Sequence, residues 1–317
     1  MSDLAHAATV ILGGPTASGK SALALALARA LDGTVINADS MQVYRELPVL
    51  TAQPSAADCA VLPHRLYGFL PVTERCSAGR WALLARAEID AARRDARLPI
   101  VVGGTGLYLR ALTDGLAPVP EIPAAVRDAA RQRLADLGKA AFHAELGRRD
   151  PEMAARVRPA DPQRMVRAWE VIEATGRSLA DWQAQPDTSR AAGARFIKLM
   201  LLPERSRLYA ACDARFAAMV ERGALEEARG VMSHADTPTL PGLKALGLRD
   251  LIRHIRGETS LDAAIAAGRQ ATRRYAKRQM TWFRHQFVAS RQIDRDGRAQ
   301  FSESYLAELC NFIRISS

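Results

Sequence analysis

Gly14-Pro15-Thr16-Ala17-Ser18-Gly19-Lys20-Ser21 is the stretch that decides how this chain folds. It fits G-x-x-x-x-G-K-[ST] at every fixed position, and its surroundings complete the motif. Residues 8–12 (ATVIL) before it are a short apolar run that reads as a buried strand. Ser21 to Leu31 after it is rich in Ala and Leu and reads as a helix. Glycines at both ends let backbone amides converge on phosphate oxygens, and the helix N-terminus adds a favourable dipole. Lys20 is placed to neutralise an outer phosphate, and the Ser21 hydroxyl to ligate Mg²⁺.

Working outward, residues 34–38 (TVINA) make a second strand that ends at Asp39, and a helix is expected near 78–95. A third strand, Leu98–Val102, ends in Gly103-Gly104. Strand and helix in alternation predict an α/β fold: a P-loop NTPase-like parallel sheet core with helices on both faces. Enzymes of this class that hydrolyse ATP usually carry an Asp at the end of a second apolar strand. Here the third strand ends Val-Val-Gly-Gly-Thr with no carboxylate, and Asp39 is the only acid at a core strand end, which argues against ATP hydrolysis and for another use of the cradle.

From about Pro118 the texture changes to Arg-rich helical sequence, before Phe196–Leu202 (FIKLMLL) reads as strand again. The economical organisation is a core of residues 1–117 and 193–317 carrying an α-helical insert domain at 118–192. QPDTSRAAG (185–193) serves as the return linker. Helices over 204–230, 244–256 and 260–290 make the C-terminal region helical.

With 317 residues, 48% hydrophobic and 25% charged, the chain has the composition of a folded globular protein. MSDLAHAA lacks the basic start of a secretory signal, no apolar run is long enough to span a bilayer, and no membrane association is expected. Cys59, Cys76, Cys212 and Cys310 are scattered without metal or disulfide spacing, so free thiols in the cytoplasm are expected. His6, His143, His234 and His254 show no metal-ligand spacing either, and chemistry alone gives His64 no catalytic role. The net charge of +10 points to a polyanionic partner.

Two basic helices could meet that partner. Asp161-Pro162 is a helix start that places Gln163, Arg164 and Arg167 in and just after the first turn. Residues 269–291 hold seven Arg or Lys and no Asp or Glu. On a helix, Ala276, Met280, Phe283 and Phe287 form a narrow apolar stripe. Arg273, Arg274, Lys277, Arg278, Arg284 and His285 fall on an adjoining face able to track phosphates. Trp282 reads as a packing residue. Composition alone leaves a solvated face open for the Asp161 helix, whereas the absence of acids tells against that reading for 269–291.

These stretches together resemble the tRNA dimethylallyltransferase (tRNA isopentenyltransferase) family. GPTASGKS at 14–21 matches its first motif, and Asp39-Ser40-Met41-Gln42-Val43-Tyr44 resembles its second. Val102-Gly103-Gly104-Thr105-Gly106-Leu107-Tyr108 resembles the third. Asp161-Pro162-Gln163-Arg164-Met165-Val166-Arg167 matches the insert motif, and Arg273 to Gln279 with Thr281-Trp282 the C-terminal one. The resemblance implies transfer of a dimethylallyl group from dimethylallyl diphosphate to the exocyclic amine of the adenosine just 3′ of the anticodon. It implies Asp39 as the carboxylate that accepts the amine's proton, and Thr105 and Arg215 as diphosphate contacts. It assigns tRNA contacts to Asp39, Ser40, Met41, Gln42 and Thr105, to Arg127, and to Gln163, Arg164, Met165, Val166 and Arg167. Lys244, Ala245, Leu246, Gly247, Leu248 and Arg249 complete that set. A helix cap or a Mg²⁺ ligand stays open as a second role for Asp39. A small-molecule kinase, a prenyltransferase of free adenine nucleotides and a non-catalytic RNA-binding module are the competing functions. No obligate protein partner is implied, and a monomer is expected.

Two positions depart from the family pattern. Gln53 stands where its members usually carry Lys, and Leu248 where they commonly carry Tyr.

Overall fold

Thr9–Gly13 (β1) is buried at every residue because it runs through the middle of a six-stranded, all-parallel sheet whose two faces are both covered. The computed structural model describes residues 8–185, 195–234, 240–293 and 302–316. The other strands are β2 (Gly33–Asn37), β3 (His64–Arg65), β4 (Leu98–Gly103), β5 (Phe196–Leu201) and β6 (Arg291–Ile293). Their spatial order is β3-β2-β4-β1-β5-β6. Register aligns the strand ends: Gly13 lies opposite Gly103, and Asn37 opposite Val102. The loops after β1, β2 and β4 therefore leave the sheet at one level, at the carboxyl edge where open α/β sheets bind ligands.

Between the strands run α1 (Lys20–Ala30), α2 (Ala56–Val61), α3 (Ala78–Arg94) and α4 (Gly106–Thr113). Leu23 and Leu27 of α1 pack with Val10, Leu12, Ile100 and Leu199 into one core over the sheet. The chain divides into two compact units, residues 114–191 being one and the remainder the other. The smaller unit holds α5 (Ala124–Arg149), α6 (Pro151–Arg156), α7 (Pro162–Thr175) and α8 (Leu179–Ala184) around its own core of Phe142, Leu146, Met165 and Trp169. Helix α5 bends at Gly138, whose φ of 71° no helix interior adopts. The start of α7 is built as its sequence reads: the Asp161 carboxylate accepts the Arg164 N–H at 3.2 Å and Pro162 opens the first turn.

After β5 come α9 (Arg205–Met219), α10 (Leu225–Gly230), α11 (Leu248–Ile255), α12 (Leu261–Gln286) and α13 (Glu303–Ile315). The helix expected over 204–230 is interrupted by a π-turn, Val220–Ala224, where Gly223 takes φ 110°. The helix expected from 244 begins only at Leu248, because Gly247 has φ 78° and precedes it as its cap. The return linker expected at 185–193 lies, beyond Gln185, outside the described residues.

Candidate active site

The loop of residues 14–19 joins β1 to α1 and is shaped by positive φ at Ala17 (62°) and Gly19 (88°). A Cβ on Gly14 would overlap the Leu201 carbonyl, so only glycine fits where the loop crosses β5. Ser18 is buried, and its hydroxyl has no hydrogen-bond partner among the described residues, as befits a group meant for a ligand oxygen. Lys20 is buried too, and burial pushes its ammonium down to about 8. Asp39 opposes that shift, and Arg215 adds to it. A guanidinium nitrogen of Arg215, from α9, donates to the Thr16 hydroxyl, so a second cation stands at the loop. Ser21 is exposed and borders a cavity of about 280 Å³ whose walls include Leu25, Val35, Gln53, Tyr67 and Val102.

Asp39 follows β2 on the same edge. Its carboxylate Oδ1 accepts the Met41 N–H at 2.9 Å, closing a turn rather than capping a helix, since the next helix begins only at Ala56. No donor occupies Oδ2 among the described residues. Asn37 secures the turn from below: its Oδ1 accepts the Asp39 N–H at 2.7 Å, and its Nδ2 donates to the carbonyls of Asp39 and Leu66. The Asn37 carbonyl in turn accepts the indole N–H of Trp81 at 2.8 Å, and Trp81 stacks on Tyr108 at 4.6 Å.

Thr105 begins the loop after β4 and ties it to the Asp39 turn. Its N–H donates to the Ala38 carbonyl; its Oγ1 accepts the Ser40 N–H at 2.9 Å and donates to the Ser40 hydroxyl. Tyr275, from α12, is half-buried. Burial first, and then the charge of Asp39, push the hydroxyls of Tyr67 and Tyr275 up, so both stay protonated donors near neutral pH. Helix α12 roofs these loops. Gln279 accepts the Thr16 N–H and donates to the Gly104 carbonyl, each at 2.8 Å, while Trp282 covers Gly106 and Phe283 covers Gly13.

Two family models match the chain: IPP transferase over residues 42–286 and Isopentenyl transferase over 7–67. The tRNA dimethylallyltransferase of Rhodospirillum centenum is 56% identical over 90% of this chain and 91% of its own length. That of Paramagnetospirillum magneticum is 54% identical over 96% and 95%. The chain belongs to the tRNA dimethylallyltransferase family. Among solved structures, a tRNA isopentenylpyrophosphate transferase from Bacillus halodurans shares 30% identity at a TM-score of 0.68, covering 98% of this chain and 96% of that one. A eukaryotic dimethylallyltransferase acting on tRNA has the same fold at a TM-score of 0.82 and 23% identity, over 98% and 80% of the two chains.

As a tRNA dimethylallyltransferase family member, the chain brings Gly14 to Ser21, Asp39, Thr105 and Arg215 to one edge of the sheet. Other residues expected to meet RNA are placed differently. Met165 is wholly buried in the helical unit, and Leu248 is wholly buried in a second core with Phe216 and Leu251. Ala245 is buried there as well, and Gly247 closes on the Phe216 ring where any Cβ would overlap it. The side chains of Met165, Ala245 and Leu248 are packing groups, so an RNA contact at these positions would fall to the backbone. Val166 and Leu246 are half-buried, and Gln42 gives its side-chain amide to the carbonyls of Thr51 and Ala52. Gln163, Arg164, Lys244 and Arg249 are exposed; Arg127 and Arg167 are half-buried, and Arg167 pairs with Glu170 at 3.5 Å.

Helix α12 buries Ala276, Met280 and Phe283 of its expected stripe, with Phe287 buried just past its end, and leaves Arg274, Lys277, Arg278 and Arg284 exposed. Arg273 is instead held by Asp213 at 2.6 Å, so it belongs to the fold. Gln279, Tyr275, Asn37 and Trp81 received no role from sequence reasoning. Gln279 alone carried a signal there, as an amide set among apolar neighbours on a stripe.

Proposed function

We propose that this chain transfers a dimethylallyl group from dimethylallyl diphosphate to the exocyclic amine of the adenosine 3′-adjacent to the anticodon in tRNA, releasing diphosphate. The carrying observation is that a buried lysine on a phosphate loop and a carboxylate at the next strand end leave the same carboxyl edge of the sheet, where Thr105 ties the Asp39 turn to the loop after β4. An alkyl transfer from a diphosphate needs those two groups together. The amine nitrogen attacks the allylic carbon, the carbon–oxygen bond breaks, and its electron pair leaves with diphosphate. The proton shed by the nitrogen goes to the carboxylate, with Asp39 Oδ2 as acceptor while Met41 holds Oδ1. Lys20, Arg215 and the loop amides receive the growing charge of the leaving group.

Mg²⁺ fits this site as an ion shared with the substrate. Among the described residues no three His, Cys, Asp or Glu side chains converge as a metal cage, and the exposed Ser21 hydroxyl stands beside the phosphate loop. Bound there through Ser21, phosphate and water, the ion would supply further positive charge to the leaving diphosphate. The cavity beside Ser21 is wide enough for a five-carbon chain, and Leu25, Val35 and Val102 give it apolar walls. Arg164, Arg167, Lys244, Arg249 and the exposed face of α12 are the proposed RNA contacts. An enzyme of cytoplasmic tRNA is the setting this reading implies; no helix among the described residues is long and apolar enough to cross a membrane.

The test incubates the protein with unmodified tRNA, Mg²⁺ and radiolabelled dimethylallyl diphosphate, beside AMP and ATP arms. Label in tRNA that is lost with Asp39→Ala is the expected result. Label only in AMP, or phosphate moved from ATP, would overturn the acceptor while leaving the cradle in place.

A further inference from the structure

Helix α12 meets the site loops through an unusual series of close approaches. Phe283 occupies the space a Cβ would need on Gly13, Gln279 the space on Gly104, and Trp282 the space on Gly106. Two of these contacts are apolar and fix only distance. The third fixes chemistry: Gln279 is buried, its Oε1 accepts the Thr16 N–H, and its Nε2 donates to the Gly104 carbonyl, both at 2.8 Å. One side chain thus spans the loops after β1 and β4. Thr16 is also the residue whose hydroxyl accepts Arg215, so the position of that cation depends on the same point.

We propose that Gln279 is a positioning residue that holds the phosphate loop in its donor-binding shape by clamping Thr16 to Gly104. The inference rests on reading residues 14–21 as the diphosphate site. A clamp of this kind must donate and accept from one planar head, which a neutral amide does. A carboxylate could still accept from Thr16 but would face the Gly104 carbonyl with like partial charge. A protonated carboxylic acid restores both bonds. Glutamate at this position is therefore a pH-dependent probe of the clamp, because burial raises a carboxyl's pKa. Loss of the clamp frees a buried N–H and carbonyl beside the phosphates, and the loop relaxes to satisfy them.

The experiment measures binding of inorganic diphosphate with Mg²⁺ by calorimetry to the full chain, Gln279→Glu, Gln279→Leu and Gly104→Ala, at about pH 6 and pH 8. Each variant's Kd is divided by that of the unchanged chain, which cancels the titration of diphosphate and of Lys20. For Gln279→Glu the ratio is expected within about threefold at the lower pH and roughly tenfold or more at the higher, one lost hydrogen bond to a clamped loop. Gln279→Leu should weaken binding about tenfold at both. Gly104→Ala, which presses on the same amide from the loop side, should weaken it at both with no residue of α12 replaced. The Kd for tRNA without donor should stay unchanged in all three. A Gln279→Glu ratio that is the same at both pH values overturns the clamp, as does a lowered Tm with native diphosphate affinity. Failure of the unchanged chain to bind diphosphate would overturn the reading of the loop itself.

Discussion

Lys20 turns its ammonium back onto its own loop, where Nζ donates to the Pro15 carbonyl oxygen across 3.2 Å. That one bond does not replace the water the group has lost, so burial leads the shift of its pKa from 10.5 to about 8, and the nearby Arg215 adds to it. A diphosphate in the cradle supplies the missing counter-charge. Donor binding should therefore draw a proton onto Lys20 wherever the free chain has lost it. The sign is set by the free chain: below about pH 8 its site is already charged, and above it only a shrinking fraction is. The donor's kcat/KM should fall about tenfold per pH unit on the alkaline side. Calorimetry in two buffers of different ionisation enthalpy should show proton uptake on diphosphate binding near pH 9 and little from this group at pH 7. A flat alkaline limb with no proton uptake would remove Lys20 from the cradle.

Asp39 separates cleanly into a structural oxygen and a chemical one. The Met41 N–H needs only an acceptor at Oδ1, which an amide oxygen also provides. Asp39→Asn should leave Tm and tRNA affinity close to those of the unchanged chain while lowering single-turnover prenyl transfer by about a hundredfold to ten-thousandfold, the usual worth of a general base. Asp39→Ala should match that kinetic loss and also cost about 1 kcal/mol of stability as the turn loses its bond. Full activity in Asp39→Asn would show that the proton leaves by another route.

What the sequence disclosed, and what it hid, divides by physical cause. Buried parallel strands advertise themselves as apolar runs, and β1, β2, β4 and β5 were all readable; β3 and β6, with two and three residues, are too short to carry a pattern. The phosphate loop was legible because its backbone shape demands glycine at fixed spacing. Asp39 and Thr105 were legible only through resemblance, since a carboxylate or a hydroxyl at a strand end has many uses. Asn37, Trp81 and Gln279 act through contacts between residues far apart in the chain, such as Gln279 with Thr16, and no local pattern announces those. A matched stretch also includes residues whose side chains anchor it in a core, as those of Met165 and Leu248 do.

Leu248 tests that distinction. It is fully buried beside Phe216, next to Gly247, whose own neighbours leave no room for a side chain. Restoring the ring common in the family, Leu248→Tyr, should overpack this core and lower unfolding free energy by about 1–3 kcal/mol, with no gain in tRNA affinity. Denaturant unfolding and a tRNA binding isotherm together decide it. Tighter RNA binding by the tyrosine variant would mean that the position reaches the RNA after all.

The basic residues of α12 should likewise part into two groups when tested against salt. Lys277, Arg278 and Arg284 are exposed on a helix whose opposite stripe is buried. If each meets a phosphate, replacing one by Gln should lower the slope of log affinity for tRNA against log salt by roughly 0.7–0.9. Arg278 also lies over the Tyr275 ring at 5.5 Å, so its loss should reach the site as well, raising the donor's KM by a few-fold. Arg273 should behave differently. Its guanidinium is paired with Asp213 at 2.6 Å, so Arg273→Gln should cost about 1 kcal/mol of stability and leave the salt slope unchanged. A slope that drops for Arg273 and stays put for Lys277, Arg278 and Arg284 would move the RNA path off this helix.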